Sequence, residues 1–194
     1  WERLTPQHYR FRLLQDEAGR HFSHGRRLTS EDVRATIAAM RDPKAGSPFR
    51  TQLAPIERME IPDPEQIDFY LSRPEPLFPA LLALEIMPAD LLAAEHPLHS
   101  QPVGSGPFVL ESWPQPGLLR LRRRRDGQLV ELVNVKDPGV RVMKLLRGEI
   151  DLLQSDLPPE LLRFLSEREG VRVTQRPGSN FNGSTGFPSL RISK

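Results

Sequence analysis

Apolar and polar positions alternate with a period of two near the start of the chain. Tyr9, Phe11 and Leu13 interleave with Arg10, Arg12 and Leu14, the pattern of a strand with one buried face. The period becomes helical at Val33, Ile37 and Met40, a stripe suited to the buried side of a helix. Thr29 precedes that stripe and Asp32 follows three residues later, a capping-box-like pair, and Pro43 marks the end. Alternating runs from Ile56 to Ile61 and from Ile67 to Leu71 flank Pro62-Asp63-Pro64 and predict a hairpin. Pro74-Glu75-Pro76 leads into a short apolar helix over 77–84. A second short helix follows Pro88, and 96–102 read as a loop.

The texture changes at Gly106. Strands are expected from Phe108 to Trp113 and from Leu118 to Arg124 around a turn at 114–117. Asp126-Gly127 is a two-residue hairpin signal before a further strand from Leu129 to Val135. Pro138 to Arg147 reads as a helix, with proline in the first turn and Gly148 just past the end. A strand at 150–153, a helix at 158–169 closed by Gly170 and a strand at 171–175 follow, then a polar, glycine-rich tail from Gly178. The expected class is mixed α/β, with a seam near Pro102–Gly106 and no internal repeat.

Composition narrows the class. The chain has 194 residues, 38% of them hydrophobic and 27% charged, the balance of a globular protein of one or two domains. Basic side chains number 27 and acidic ones 25, a formal charge of +2. Without cysteine and with two tyrosines, little titrates just above neutrality, so this small excess places the pI near 9.3. The absence of cysteine excludes a disulfide framework, a thiolate nucleophile and a Cys-ligated metal. No apolar run approaches the roughly 20 residues of a transmembrane helix. The chain opens at Trp1 with no leader-like segment and is read as a piece of a longer protein.

Candidate chemistry is sparse. His8, His21, His24, His96 and His99 are scattered, without a carboxylate or third histidine at ligand spacing, so they read as surface residues and not a metal site. Arg120 and Arg122 to Arg125 form a basic run. It lies on a strand, alternates between faces and lacks interleaved aromatics, which argues against nucleic acid. Gly104-Ser105-Gly106 is not a nucleophile elbow, and no phosphate-binding glycine loop is present. Glu149 and Asp151 face opposite sides of a strand and make a poor catalytic pair. No enzyme and no cofactor are expected.

A set of short strings occurs in a telling order. Tyr9-x-Phe11-x-Leu13, His24-Gly25 and Leu28-Thr29-Ser30-Glu31-Asp32-Val33 come first. Arg41-Asp42-Pro43, Ser47-Pro48-Phe49, Pro62-Asp63-Pro64 with Phe69-x-Leu71, and Pro74-x-Pro76-x-Phe78 follow. Pro102-Val103-Gly104-Ser105-Gly106-Pro107-Phe108, Gly148-Glu149-Ile150-Asp151 and Leu157-Pro158-x-Glu160 complete the series. The series resembles the family 5 solute-binding proteins, the peptide- and oligopeptide-binding components of bacterial ABC importers, from Trp1 to about Phe187. Two departures stand out. The family's Asn-Pro-x-Tyr-Trp loop is replaced by Asp126-Gly127, and Gly186-Phe187 does not lead into the usual Asp-x-Arg-Val-Arg helix.

The resemblance implies part of one lobe of a periplasmic-binding-protein-like fold. Residues 1–102 would form the accessory subdomain and 103–194 part of the ligand-binding subdomain, with the second lobe absent. It implies a receptor in the periplasm, or lipid-anchored outside the membrane. Such a receptor closes two lobes on a peptide or other small molecule and delivers it to the membrane permease subunits. A cytoplasmic ligand-sensing domain of a transcriptional regulator on the same fold is the alternative. The cleft residues it implies are Phe49, Leu84, Gln154, Ser155 and Asp156, with Asn180, Phe181 and Asn182 at the crossing to the second lobe. Each has a structural reading beside it: Phe49 and Leu84 as core, Ser155 and Asp156 as caps of the next helix. The family's contact to a peptide's free amine lies in the second lobe, so this chain alone is expected to bind peptide weakly or not at all.

Overall fold

A computed structural model describes residues 1–14, 19–154, 157–176 and 189–193. The chain divides into two compact units, Trp1–Leu132 and Val133–Lys194. The change of texture near Pro102–Gly106 lies inside the first.

The first unit is built on a four-stranded antiparallel sheet. Its strands are β1 (Glu2–Thr5), β2 (His8–Arg12), β3 (Ile56–Asp63) and β4 (Gln66–Leu71), in the order β1-β2-β4-β3. Pairing of Tyr9 with Phe69 and of Met59 with Phe69 aligns the apolar positions of three strands on one face. Helix α1 (Ser30–Arg41) presents Ile37 to the same core, with Val33 and Met40 packed beside it, as the stripe predicts. The capping pair is present: the Asp32 carboxylate accepts the Thr29 backbone N–H at 2.8 Å. Phe78 sits 5.2 Å from the Tyr9 ring and 5.3 Å from that of Phe69, and all three are essentially fully buried.

Helix α2 (Phe78–Leu81) is a single turn, shorter than the predicted 77–84, and α3 (Ala89–Ala93) follows Pro88 as expected. Beyond Leu81 the chain turns through shorter-range bonds, Leu82 N–H to Pro79 O at 3.3 Å and Leu84 N–H to Leu82 O at 2.9 Å, and α1 holds the backbone further on. The Thr36 hydroxyl donates to the Met87 carbonyl at 3.2 Å and accepts the Met87 N–H at 2.9 Å. Asp32 accepts the Ala89 N–H at 2.8 Å. Side chains of α1 thus fix the approach to α3 by bonding backbone groups of Met87 and Ala89.

A second sheet of the order β5-β6-β7 comprises β5 (Phe108–Gln115), β6 (Leu118–Arg123) and β7 (Leu129–Val133). The connection after β6 spans residues 124–128, longer than the two-residue turn expected at Asp126-Gly127. Arg123 N donates to Gln128 O at 2.9 Å and Gly127 N to Arg123 O at 2.8 Å, which close the longer loop.

The second unit holds α4 (Pro138–Arg147), β8 (Leu152–Gln154), α5 (Pro159–Ser166), β9 (Arg172–Arg176) and β10 (Ser189–Ser193). Its core is Val142, Leu145, Leu153 and Leu165. Asp137 caps α4 by accepting the Val140 N–H at 2.8 Å, and Gly148 ends it at φ 75°. Helix α5 stops three residues short of the expected Glu169. Strand β10 was not expected from the sequence, nor was β1. It lies between β8 and β9, antiparallel to both.

Candidate ligand-binding site and family membership

Phe49 lies in the loop between a 3₁₀ turn at Pro43–Ala45 and β3. Its N–H donates to the Ser47 hydroxyl at 3.3 Å, and its carbonyl accepts the Leu53 N–H at 3.1 Å. Leu84 follows α2, where its N–H donates to the Leu82 carbonyl at 2.9 Å. Gln52 Nε2 donates to the Leu81 carbonyl at 3.2 Å and ties the two segments together. Phe49 and Leu84 both pack against the first core cluster and are half-buried, each keeping part of its surface open. They are thus at the rim of one core, able to support that core and to present an apolar surface beyond it.

Gln154 closes β8 in the second unit, exposed, paired in register with Arg191 of β10 beside the buried Leu153. Ser155, Asp156, Asn180, Phe181 and Asn182 lie outside the described residues. A cleft of about 450 Å³ runs along α4, lined by Asp137, Val140, Met143, Lys144 and Arg147 among others. It includes none of the expected cleft residues, and its cations are matched: Lys144 Nζ pairs with Glu149 at 2.6 Å and Arg147 with the same carboxylate at 3.8 Å.

Three arginines of the basic run are paired with carboxylates of the same sheet or the loop beside it. Arg120 pairs with Glu131 on β7 at 2.6 Å, Arg122 grips Glu111 on β5, and Arg123 holds Asp126 at 2.6 Å. The hydrogen bond from Arg123, aided by the Gln128 N–H, pushes the Asp126 carboxyl down to about 2. The histidines make local contacts: His8 to Asp68 at 3.2 Å, His24 to Asp90 at 3.5 Å, and His96 to the Gln101 carbonyl at 3.1 Å. Among the described residues, no group of three or more His, Asp or Glu is placed to hold a metal ion, and no helix is long and apolar enough to cross a membrane.

The burial of two carboxylates, Asp32 and Asp68, was not read from the sequence. Asp32 has no exposed surface and binds Thr29, Ala89 and Arg26. Asp68 is 2% exposed and is gripped by Arg10. Each sits among apolar periodic residues, and only tertiary contact shows that it is buried and paired.

The family model for bacterial extracellular solute-binding proteins, family 5 Middle, matches residues 7–185. The chain belongs to this family. Di/tripeptide-binding protein 2 of Pseudomonas aeruginosa is 28% identical over 186 residues, covering 79% of this chain and 34% of the relative. A putative ABC transporter peptide-binding protein of Brucella abortus is 28% identical over 148 residues, covering 68% of this chain and 28% of the relative. Among solved structures, the periplasmic binding protein AgaA of A. tumefaciens, in complex with agropinic acid, superposes with a TM-score of 0.80 at 26% identity. That match covers 89% of this chain and 37% of AgaA. The fold is therefore part of a periplasmic-binding-protein lobe, mixed α/β, and this family 5 chain spans about a third of the length of the relatives it matches.

Proposed function

We propose that this family 5 chain is part of the substrate-binding component of an ABC importer, which encloses a peptide between two lobes and delivers it to permease subunits in the membrane. The observation that carries the reading is the family match over 7–185, joined to relatives whose names specify di- and tripeptide binding and ABC-transporter peptide binding. The family is extracellular by description, which supports a place in the periplasm or on a lipid anchor outside the cytoplasmic membrane. Binding and transfer require no bond making, in keeping with relatives named as binding proteins.

In this reading, residues 1–102 are the accessory subdomain of the lobe and 103–194 contribute to the ligand-binding subdomain. The ligand meets Phe49, Leu84, Gln154, Ser155 and Asp156, with Asn180, Phe181 and Asn182 at the crossing. Apolar contact at Phe49 and Leu84 suits a peptide side chain. The exposed amide of Gln154 at a strand end suits the polar backbone of an extended peptide.

Native mass spectrometry of the full-length protein from its own host tests the reading. A co-purified ladder of short-peptide masses is expected. A single non-peptide mass, or a bare protein that gives no heat with a peptide mixture in calorimetry, would overturn the peptide assignment.

A further inference from the structure

Three sequence features have no part in the proposed ligand contact: His24-Gly25, the Gly104–Pro107 turn, and Arg124 beyond the end of β6. They meet in space. The segment 20–28 folds back on itself, with Phe22 N donating to Arg26 O at 2.9 Å and Leu28 N to Arg20 O at 2.7 Å. His21 and Arg27 form a bridge across it. Gly25 makes the reversal at φ 94°, a conformation that side chains disfavour.

One side of this folded segment is fixed to the helices. Phe22 is buried, and the Arg26 guanidinium lies 5.2 Å from the centre of its ring. Arg26 also pairs with Asp32 of α1 and, at 2.9 Å, with Asp90 of α3. The other side is fixed to the second sheet. Ser23 N donates to Gly104 O at 2.9 Å, Arg124 Nη1 donates to His21 O at 2.7 Å, and Arg124 N donates to Pro107 O at 2.8 Å. These three bonds link the 20–28 segment, the glycine-bearing turn and the end of β6 into a ring.

A turn with two glycines between two sheets is a ready hinge, because its backbone has few steric limits. The ring removes that freedom by bonding both ends of the turn. We propose that this ring is a locked joint, with Arg124 as its positioning residue. It makes the four-stranded sheet, its helices and the β5-β6-β7 sheet move as one body. The extension of the first compact unit from Trp1 through Leu132 accords with this. Arg124 acts as a charge-assisted donor to a backbone carbonyl, so a lysine can replace it in part and an apolar isostere cannot.

Residue-resolved amide exchange on the 194-residue chain tests the proposal. In the unaltered chain, the Ser23 and Arg124 amides are expected to exchange roughly a hundredfold slower than unprotected amides. Arg124→Met is expected to speed Ser23 exchange by roughly tenfold, the effect of one lost hydrogen bond, while Phe69 in the first sheet stays unchanged. Arg124→Lys is expected to restore most of the protection. Unprotected Ser23 in the unaltered chain would overturn the joint, and that measurement decides the matter even if Arg124→Met fails to fold. Ser23 protection indifferent to Arg124→Met would overturn it as well.

Discussion

Arg10 grips Asp68 across the β2–β4 ladder through two hydrogen bonds, Nε to Oδ1 at 3.0 Å and Nη2 to Oδ2 at 2.7 Å. The two residues are direct register partners, so the fork of the guanidinium meets both carboxylate oxygens without a bend in either strand. His8 adds a contact at 3.2 Å and the Gln66 side-chain amide one at 3.3 Å. Asp68 is thus a buried charge with its acceptor sites occupied, the condition under which burial of a carboxylate is tolerated.

The Arg10 hydrogen bond, opposed by burial and helped by His8, holds the Asp68 carboxyl below the usual range. A depressed carboxyl stabilises the fold above its unfolded pKa, and that contribution is lost as pH falls through the folded value. Asp68→Asn is therefore expected to cost about 1–3 kcal/mol at pH 7. The gap to the unaltered chain should narrow as pH falls below about 4. Urea unfolding at pH 7, 5, 4 and 3 measures this. A gap that is constant with pH would show that the charge of Asp68 contributes nothing.

Asp32 and Asp90 share Arg26 but differ in burial. Asp32 is fully enclosed and also terminates two backbone N–H groups, whereas Asp90 is half exposed. Asp32→Ala leaves those two buried donors without their acceptor and Arg26 with Asp90 alone, and is expected to cost about 3 kcal/mol or more. Asp90→Ala should cost a small fraction of that, because water replaces an exposed partner. Chemical denaturation of both variants checks the ranking; equal losses would contradict it.

Gly148 ends α4 in the left-handed region, at φ 75° and ψ 18°, with its N–H bonded to Leu145 O at 3.0 Å. Gly148→Ala is expected to cost about 1 kcal/mol, the price of a Cβ in that conformation. A lower melting temperature with an unchanged circular dichroism spectrum is the expected signature.

These cases show what the sequence made legible. Capping at Thr29 and Asp32, the stripe of Val33, Ile37 and Met40, and the Gly148 stop are local signals, written within a few residues of where they act. Strand β10 carries a local alternation in Leu190 and Ile192, but its place between β8 and β9 is not local, and nothing within Ser189–Ser193 records those partners. Strand β1, exposed throughout and with Leu4 as its one apolar residue, gave no alternation to read. Helix α2 stops at Leu81, whose carbonyl is taken by the side chain of Gln52, far earlier in the chain. The proposed cleft residues were named only through family resemblance, since a half-buried Phe49 has the same pattern whether it serves core or ligand.

Phe49 offers the way to separate those two roles. Phe78, at the centre of the same core, is fully buried, and Phe78→Ala is expected to cost about 3–5 kcal/mol through loss of contact and a cavity. Phe49 packs on that core from its rim, so Phe49→Ala should cost clearly less stability. Under the proposed peptide-binding role, Phe49→Ala in the full-length protein should nevertheless raise the Kd for peptide by about tenfold or more, because an aromatic side chain that covers a ligand is among the residues most costly to truncate. Calorimetric titration well below both melting temperatures measures binding apart from unfolding. A lowered melting temperature with unchanged Kd for Phe49→Ala would return Phe49 to the core. With Leu84→Ala also silent in binding, the rim of the first core would have no part in the ligand site.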